Sequence, residues 1–315
     1  MVYCKAILPR AGLGNRLFPW ARCCVYSELN HAPMLAVRWW QLKIGPLLRG
    51  ETDRRFYARL FHPAESDVRR WQSLLIEIRA HRVPEPEDLN WTPSLPDSGR
   101  PALVVFEGEC DHFARLHGRE EFLKRRLLAI TRARWLAADG QAGIEYPIGI
   151  HVRRGDFRAA ESELELYSRG AVRTPLEWFV RSLRWVRETV GRPVGAFVVS
   201  DGTAGDLAEL LAEPKVLLTR CDSALGDLLA LSKAKLLLAS GGSSFSAWAS
   251  FFGGMPTLSH PGQSMKWFKL ASREGCLIDE FNPSKPPADL AEQVGRVLSD
   301  GEVTAVGHDL TGKQA

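Results

Sequence analysis

Two adjacent arginines follow an apolar run near the middle of the chain. Residues 148–157 read IGIHVRRGDF, so Arg153 and Arg154 come directly after five residues typical of a buried strand. A guanidinium is always charged and binds phosphate through two parallel N–H bonds, the kind of contact that a pyrophosphate needs. A surface salt-bridge cluster with Asp156 is the alternative. Charges at the end of a buried strand need a partner, and this favours an anion site.

A short glycine-containing segment near the amino terminus could supply further donors to an anion. Gly12 and Gly14 stand between a predicted strand and a predicted helix. Glycine lets the backbone approach a ligand, and a helix N-terminus offers free N–H groups. The dinucleotide pattern G-x-G-x-x-G is incomplete because its last position is Leu17. A ligand-binding turn and a simple tight turn therefore both stay open.

A second loop of this kind lies between a predicted strand and helix in the carboxy-terminal half. Residues 239–248 read ASGGSSFSAW. Ser243 or Ser244 could cap the helix. One serine suffices for a cap, so the additional hydroxyls beside two glycines favour contacts with phosphate oxygens.

Groups that could accept a proton cluster after another apolar run, residues 102–106. Glu109, Asp111 and His112 could supply a catalytic base or bind a metal ion. The metal site is the poorer interpretation because no second cluster has ligand spacing. Asp156 could also act as an acid or base, whereas Asp201 fits an ordinary loop carboxylate. The sequence has neither a G-x-S-x-G nucleophile elbow nor a P-loop.

The elements that position these residues alternate between strands and helices, which predicts an α/β fold with parallel sheets. We predict strands at 3–8, 33–40, 102–106, 147–152, 194–199, 216–218 and 234–239, and an irregular segment at 81–101. Helices are predicted at 16–29, 120–138, 175–190, 204–212, 224–232, 244–252 and 288–298, the third capped by Thr174 with Pro175 at its first position. Two series, each opening on a strand, predict Rossmann-like domains at 1–142 and 143–300 and a polar tail at 301–315. Ligands of such domains bind at the carboxyl ends of strands, often between the domains.

Composition and charge are those of a globular protein. The chain has 315 residues, 45% of them hydrophobic, and a net charge of +4, too mild to indicate nucleic-acid binding. The cysteines have no zinc-finger or CxxC spacing, so we expect buried, reduced thiols. We find neither a signal-peptide pattern nor an apolar run long enough for a membrane span, and expect a cytoplasmic location.

Three of the motifs, in this order, resemble the bacterial α-1,2-fucosyltransferases, glycosyltransferase family 11. GLGNRLFPWA at 12–21 is similar to their GGLGNQMFQYA signature. IHVRRGDF at 150–157 resembles an HxRRxDY motif that they share with α-1,6-fucosyltransferases. DLLALSKAKLLLASGGSSFSAWAS at 227–250 resembles their DLxLMSxCKxxIxxNSSFSWWGAW segment. The resemblance extends over about residues 3–270.

The resemblance implies a GT-B fold, two Rossmann-like domains facing across a cleft, and inverting transfer from a GDP-sugar without a metal ion or other cofactor. The carboxy-terminal domain would bind GDP, and the amino-terminal domain would face a glycan or small-molecule acceptor. Arg153 would bind the pyrophosphate and assist its departure, with Asn15 and Asp156 as the other catalytic candidates. His151 and Asp227 would approach guanine. The remaining implied donor contacts are Gly12, Gly14, Arg16, Arg154, Ser243, Ser244, Phe245 and Ser246, and the acceptor-side candidates are Glu109, Asp111 and His112.

The chain departs from the family pattern at several positions. Arg16 replaces a glutamine, Trp20 a tyrosine and Ala247 a tryptophan, and Gly241-Gly242 replaces the asparagine before the serines. The phosphate-binding part is thus retained, while the acceptor side is expected to differ. Besides a fucosyltransferase acting on a glycan, two hypotheses stay open: transfer of another GDP-linked sugar to a small molecule, and a nucleotide- or carbohydrate-binding module without turnover.

Overall fold

Parallel β-sheets flanked by helices form the computed structural model, which describes residues 1–40, 57–93, 99–138, 146–167, 172–219, 221–271 and 278–299. The amino-terminal sheet contains β1 (Val2–Ile7), β2 (His81–Pro84) and β3 (Ala102–Glu107) in the order β1-β3-β2. Its helices are α1 (Leu13–Leu29), α2 (Arg70–Arg79), α3 (Glu120–Ala129) and α4 (Ala133–Ala138). Both strand pairs are parallel, as the predicted α/β class requires.

The carboxy-terminal sheet is larger. Its strands are β4 (Ile148–Val152), β5 (Ala196–Ser200), β6 (Val216–Leu218), β7 (Leu236–Ala239), β8 (Thr257–Ser259) and β9 (Ile278–Glu280). Its helices are α5 (Glu163–Leu166), α6 (Leu176–Val190), α7 (Ala208–Leu211), α8 (Ala224–Leu231), α9 (Ser244–Gly253) and α10 (Ala288–Ser299). All of its strand pairs are parallel.

The order of the larger sheet, β6-β5-β4-β7-β8-β9, reverses direction between β4 and β7. The chain leaves β4 toward β5 on one side, whereas β7 continues toward β8 on the other. Loops that diverge in this way leave a crevice at the carboxyl ends of the strands, where ligands of open α/β sheets bind. The double arginine and the glycine-serine loop follow these two strands.

Side chains alternate along each strand between the two faces of the sheet, so each face packs against a different layer of helices. In β4, Ile148, Ile150 and Val152 pack in a core with α6 and α10. The opposite face of that sheet belongs to a core that also includes α1, α8 and α9. That second core continues into the amino-terminal sheet through Val104 and Phe106. One apolar core therefore connects the two sheets.

Several elements differ from the sequence prediction because of contacts distant in sequence. Strand β2 occupies part of the segment predicted as irregular, and the predicted strand at 33–40 is reduced to isolated bridges at Met34 and Leu35. The predicted helix at 120–138 is interrupted where Thr131 pairs with Phe61 in an antiparallel bridge. Thr174 does not cap α6, because its hydroxyl donates to Gln263 Oε1 (2.6 Å). Strands β8 and β9 were not predicted.

The other predictions have mixed outcomes. Helix 204–212 divides into a 3-10 turn, Gly205–Leu207, and α7. Cys4, Cys23 and Cys24 are buried free thiols as predicted, but Cys110 is exposed because it lies in the surface turn after β3. Cys221 is half-buried, and Cys276 lies outside the described residues. The domain boundary at 142/143 and the tail at 301–315 also lie outside them, so both stay predictions.

The contact between α1 and α9 includes a buried hydrogen bond, since Trp248 Nε1 donates to the Gly14 carbonyl oxygen (2.8 Å). Replacing Trp248 with Phe keeps an aromatic ring but removes this buried hydrogen bond and part of the buried side chain. We expect Trp248→Phe to lower the free energy of unfolding by about 2 kcal/mol, measured by urea denaturation. Trp91→Phe, at an exposed position, is the control. Equal stability of Trp248→Phe and wild type would contradict the assigned role of this bond.

Candidate functional site

The two arginines of the motif at 148–157 emerge at the carboxyl end of β4, held by groups from both neighbouring strands. The backbone N–H of Arg153 donates to Ser240 Oγ (2.9 Å), just after β7. The backbone N–H of Arg154 donates to Asp201 Oδ1 (2.7 Å), just after β5. The loops around the crevice thus fix the main chain of both arginines.

The Arg153 guanidinium is bound by two carboxylates. Nη1 lies 2.6 Å from Asp201 Oδ2, and Nη2 lies 2.5 Å from Asp156 Oδ1. One face of the guanidinium lies over the Phe157 ring, 5.6 Å from its centroid. About one fifth of the Arg153 side chain remains exposed. The group is therefore preorganised and still reachable by a ligand.

Two further arginines lie in this region, where Asp156, Asp201 and Asp206 oppose their charges. Arg173 Nε donates to the carbonyl oxygens of Phe157 (2.7 Å) and Arg154 (3.2 Å). Burial lowers the pKa of Arg154, the charge of Arg173 lowers it further, and Asp206 and Asp201 oppose both effects. Arg154 Nε is buried without a hydrogen-bond partner among the described residues. Like charges held together with an unused donor suit an anionic ligand.

His151 occupies the core beneath this loop. Its side chain is 4% exposed, Nδ1 lies 2.6 Å from Ser246 Oγ, and its ring centroid lies 5.0 Å from that of Phe245. Burial lowers the pKa of His151 to about 4, with Arg153 acting in the same direction and Asp201 against it. His151, Phe245 and Ser246 thus join β4 to α9, while the implied contact of His151 with guanine stays a prediction.

The amino ends of α1 and α9 meet at Gly14 and Ser244. A Cβ atom on Gly14 would lie 2.6 Å from Ser244 Oγ and 2.8 Å from the Ser244 carbonyl carbon, so only glycine allows this approach. The Ser244 hydroxyl donates to Asn15 Oδ1. Gly12 and Ser243, the cap residues of α1 and α9, make no side-chain capping bond. The first N–H group of α1, that of Leu13, donates to the Tyr57 hydroxyl (3.0 Å), so the uncapped end of α9 is the one that favours an anion.

Arg16 was predicted to contact the donor, and the structure corrects this. The side chain is fully buried and donates to the carbonyl oxygens of Ala11 (3.1 Å) and Trp39 (3.0 Å). Its guanidinium carbon lies 4.9 Å from the centroid of the Tyr57 ring. Arg16 supports the turn before α1 from beneath, because its charge is satisfied by carbonyl groups of its own domain.

Glu109 lies near the polar side chain of Asn15, which influences its carboxylate. Burial raises the pKa of Glu109, while Asn15 and the charge of Arg22 oppose that rise. Because Asn15 also contacts Ser244, a continuous polar chain runs from Glu109 to the glycine-serine loop. This carboxylate is thus placed at the meeting point of the two helices.

Asp111 and His112, the other acceptor-side candidates, face a different segment. Asp111 Oδ1 accepts from Lys269 Nζ (2.8 Å), and this bond lowers the pKa of Asp111. The His112 ring contacts the rings of Phe18, Trp267 and Phe268, at centroid distances of 5.2, 4.8 and 5.3 Å. Burial, and after it Lys269, lowers the pKa of His112.

The Asp227 carboxylate binds the backbone of the loop that precedes α8. Its Oδ1 accepts from the backbone N–H of Cys221 (2.9 Å) in the first turn of α8. The structure thus gives Asp227 a positioning contact before α8, and its predicted contact with guanine is not tested.

Sequence reasoning missed Asp201, Ser240 and Arg173. Asp201 was interpreted as an ordinary loop carboxylate, yet it binds the side chain of Arg153 and the backbone of Arg154. Its position directly after β5, next to β4 in a parallel sheet, was the available signal. Arg173 offered no such signal, because the bridge between Arg158 and Val172 brings it to the site.

Metal sites and membrane spans were searched within the described ranges. No group of three or more His, Cys, Asp and Glu side chains there is arranged to hold a metal ion. None of the helices in that part of the chain has both the length and the apolarity to cross a membrane.

The sequence matches no protein-family model and no curated protein. Solved structures are similar in fold. POFUT1 in complex with GDP superposes with a TM-score of 0.51 at 12% identity, covering 82% of this chain and 97% of that chain. This similarity confirms the predicted GT-B fold.

Two solved fucosyltransferase structures are similar to this chain with lower TM-scores. NodZ alpha-1,6-fucosyltransferase soaked with GDP-fucose has a TM-score of 0.49 and 16% identity over 82% of this chain and 95% of that one. Fucosyltransferase NodZ from Bradyrhizobium has a TM-score of 0.47 and 15% identity over 79% and 93%.

The buried His151 makes stability depend on pH. The unfolded chain takes up a proton near pH 6.5, whereas folded His151 stays neutral down to about pH 4, so stability is lost as pH falls through this window. Between pH 7 and pH 5 wild type should lose about 2 kcal/mol more unfolding free energy than His151→Gln. Urea denaturation at both pH values measures this, and parallel pH profiles of the two proteins would refute it.

Proposed function

We propose that this chain is an inverting glycosyltransferase that moves a sugar from a GDP-sugar, with GDP-fucose as the first candidate, to a hydroxyl of a glycan. The main observation behind this proposal is the group of side chains at the carboxyl end of β4. There the Arg153 guanidinium stands with Arg154 and Arg173, near the uncapped end of α9. The GT-B fold and the motif resemblance support the choice of a GDP-sugar.

A pyrophosphate would satisfy this group of side chains. Arg153 is bound by Asp156 and Asp201, and a phosphate can take the place of Asp156 on Nη2 because that carboxylate is partly exposed. Asp201 would stay, since it also binds the backbone of Arg154. Bidentate arginine–phosphate contacts are charge-assisted, and the free N–H groups of α9 point to the same anion.

The same groups explain departure of GDP. When the bond between the sugar and the phosphate breaks, negative charge develops on the pyrophosphate. Preorganised donors at that position stabilise this charge more than they stabilise the bound substrate, and this lowers the barrier. We therefore assign charge stabilisation to Arg153, Arg154 and helix N–H groups rather than to a metal ion.

Glu109 is the proposed base that accepts the proton of the attacking hydroxyl. The ion pair with Lys269 lowers the pKa of Asp111 and makes it a poor proton acceptor, and Asp156 is occupied by its ion pair with Arg153. Glu109 has a raised pKa and lies near Asn15. Inversion places the attacking hydroxyl, and any base that takes its proton, across the sugar from the leaving phosphate; Glu109 follows β3 of the amino-terminal sheet, whereas Arg153 follows β4 of the other sheet.

The α-1,2 linkage belongs to the proposal only through the motif resemblance. The positions where the chain departs from that pattern were expected to alter the acceptor side. Arg16, Trp20 and Ala247 are all buried. They therefore do not themselves present a new surface to an acceptor.

GDP binding is the first test. We expect GDP, but not UDP or ADP, to raise the melting temperature, and Arg153→Ala to weaken GDP binding by about tenfold to a hundredfold, since hydrogen bonds to charged groups contribute about 1.5–3 kcal/mol. Calorimetric titration measures the affinity. Arg184→Ala, at an exposed ion pair on α6, should bind as wild type does. Unchanged affinity of Arg153→Ala, or no binding of GDP, would sink the proposal.

Turnover is the second test. Released GDP is followed with GDP-fucose, then other GDP-sugars, against water and a panel of oligosaccharides. Glu109→Gln should keep GDP affinity but lower the transfer rate by about a hundredfold or more, as loss of a general base does. The wild-type rate should rise with pH through the raised pKa of Glu109, because only the carboxylate accepts a proton, and the variant should lose this dependence.

Asp111→Asn is the matched control for Glu109→Gln, and it should keep both rate and pH profile. A Glu109→Gln variant with wild-type turnover would remove Glu109 from the mechanism. GDP binding without turnover of any GDP-sugar would favour the non-catalytic module.

A further inference from the structure

Helix α2 has two apolar faces. One faces the outer side of the amino-terminal sheet, where Ile76 packs with Leu35, Ala80 and Leu103. The other faces outward and consists of Trp71, Leu74, Leu75 and Ile78, exposed by 64, 51, 36 and 66%. Their spacing of i, i+3, i+4 and i+7 places them along one stripe of the helix. We call these four residues the outer stripe.

A surface helix ordinarily has a single apolar stripe, directed to its own core. The inward face already serves that purpose in α2. Side chains of this size on one ten-residue helix form a contiguous patch rather than the scattered exposed residues that are normal for a monomer. The outer stripe therefore calls for a partner outside the described part of the chain.

Exposed arginines are concentrated around the outer stripe, whereas the acidic residues Glu65 and Asp67 precede the helix. These arginines are Arg69 before the helix, Arg79 at its end, and Arg82 in β2. Arg100 joins them, since its Nε donates to the Arg79 carbonyl oxygen (2.8 Å). The one acidic residue between 69 and 82, Glu77, is turned to the sheet and pairs with Lys5 (2.7 Å).

We propose that the outer stripe docks on an anionic lipid surface. Tryptophan and branched aliphatic side chains flanked by arginine are the composition of helices that lie in a membrane interface. Arginine keeps its head group in the polar layer while apolar side chains enter the acyl boundary. Because α2 lies on the outer face of the sheet, its outer stripe protrudes. A protruding helix fits a deformable lipid surface better than a protein partner that would need a matching groove.

A second copy of the chain is the less favourable occupant. A two-fold dimer would place the outer stripe against itself, and with it Arg69, Arg79, Arg82 and Arg100 against their own copies. Like charges facing one another cost free energy. An anionic surface turns the same arginines into attractive contacts.

The position of α2 suits such docking. Helix α1 packs on the face of the amino-terminal sheet that joins the other domain, whereas α2 packs on the opposite face. A protein held by the outer stripe would therefore keep the region around Gly14 and Arg153 uncovered. This proposal is independent of the proposed function.

The test is cosedimentation of the full chain with vesicles of phosphatidylcholine alone and of phosphatidylcholine mixed with phosphatidylglycerol. We expect binding to the mixed vesicles, weakened by salt, and little binding to the neutral ones. Leu74→Ser with Ile78→Ser should lower the affinity at least about tenfold through lost apolar burial. Arg79→Glu with Arg82→Glu should lower it at least about tenfold through charge.

Leu217→Ser, at an exposed leucine of β6, is the matched control and should bind as wild type does. Because every changed side chain is exposed, the variants should unfold at the wild-type urea concentration, which separates docking from folding. Absence of binding to the anionic vesicles, or equal binding by the Leu74/Ile78 variant, would overturn the proposal. Sedimentation velocity supplies the third criterion, since a dimer abolished by the same variant would identify a second copy as the occupant.

Discussion

The closeness of α1 to α9 at their amino ends is the constraint on which the site depends. Gly14 has no side chain, so the backbone of one domain reaches Ser244 of the other. Trp248 then donates to the Gly14 carbonyl oxygen, and Asn15 accepts from Ser244 and lies near Glu109. A side chain at position 14 would separate the helices and with them the proposed base from the proposed phosphate site.

The cationic side of the site is a balance of opposing charges. Arg153 and Arg154 would repel one another and Arg173 in the absence of acids. Asp201 offsets this by contacting one arginine through its guanidinium and the other through its backbone. This arrangement keeps the arginines fixed before a ligand arrives, so little reorganisation remains when charge develops. Arg154 Nε is buried without a hydrogen-bond partner among the described residues, which is consistent with the proposed anion site.

Local patterns predicted the α/β class, most of the parallel strands and the arginine pair, because an apolar run that ends in charged residues marks a strand end. These patterns failed where contacts with residues distant in sequence determine the local structure. Thr131 ends a helix early by pairing with Phe61, and β2 exists because β3 offers an open edge. Arg16 is a residue type that often contacts anionic ligands, yet here its guanidinium donates to the carbonyl groups of residues 11 and 39. The spacing of residues along the sequence does not reveal these contacts between distant residues.

One departure from the family pattern has a structural explanation that reaches the arginines. A side chain at Gly241 would collide with the backbone of Gln263. The amide of Gln263 donates to the Val172 carbonyl (3.1 Å) and accepts from Thr174. These bonds fix the residues on both sides of Arg173. Glycine at 241 is therefore coupled to the placement of the third arginine at the proposed phosphate site.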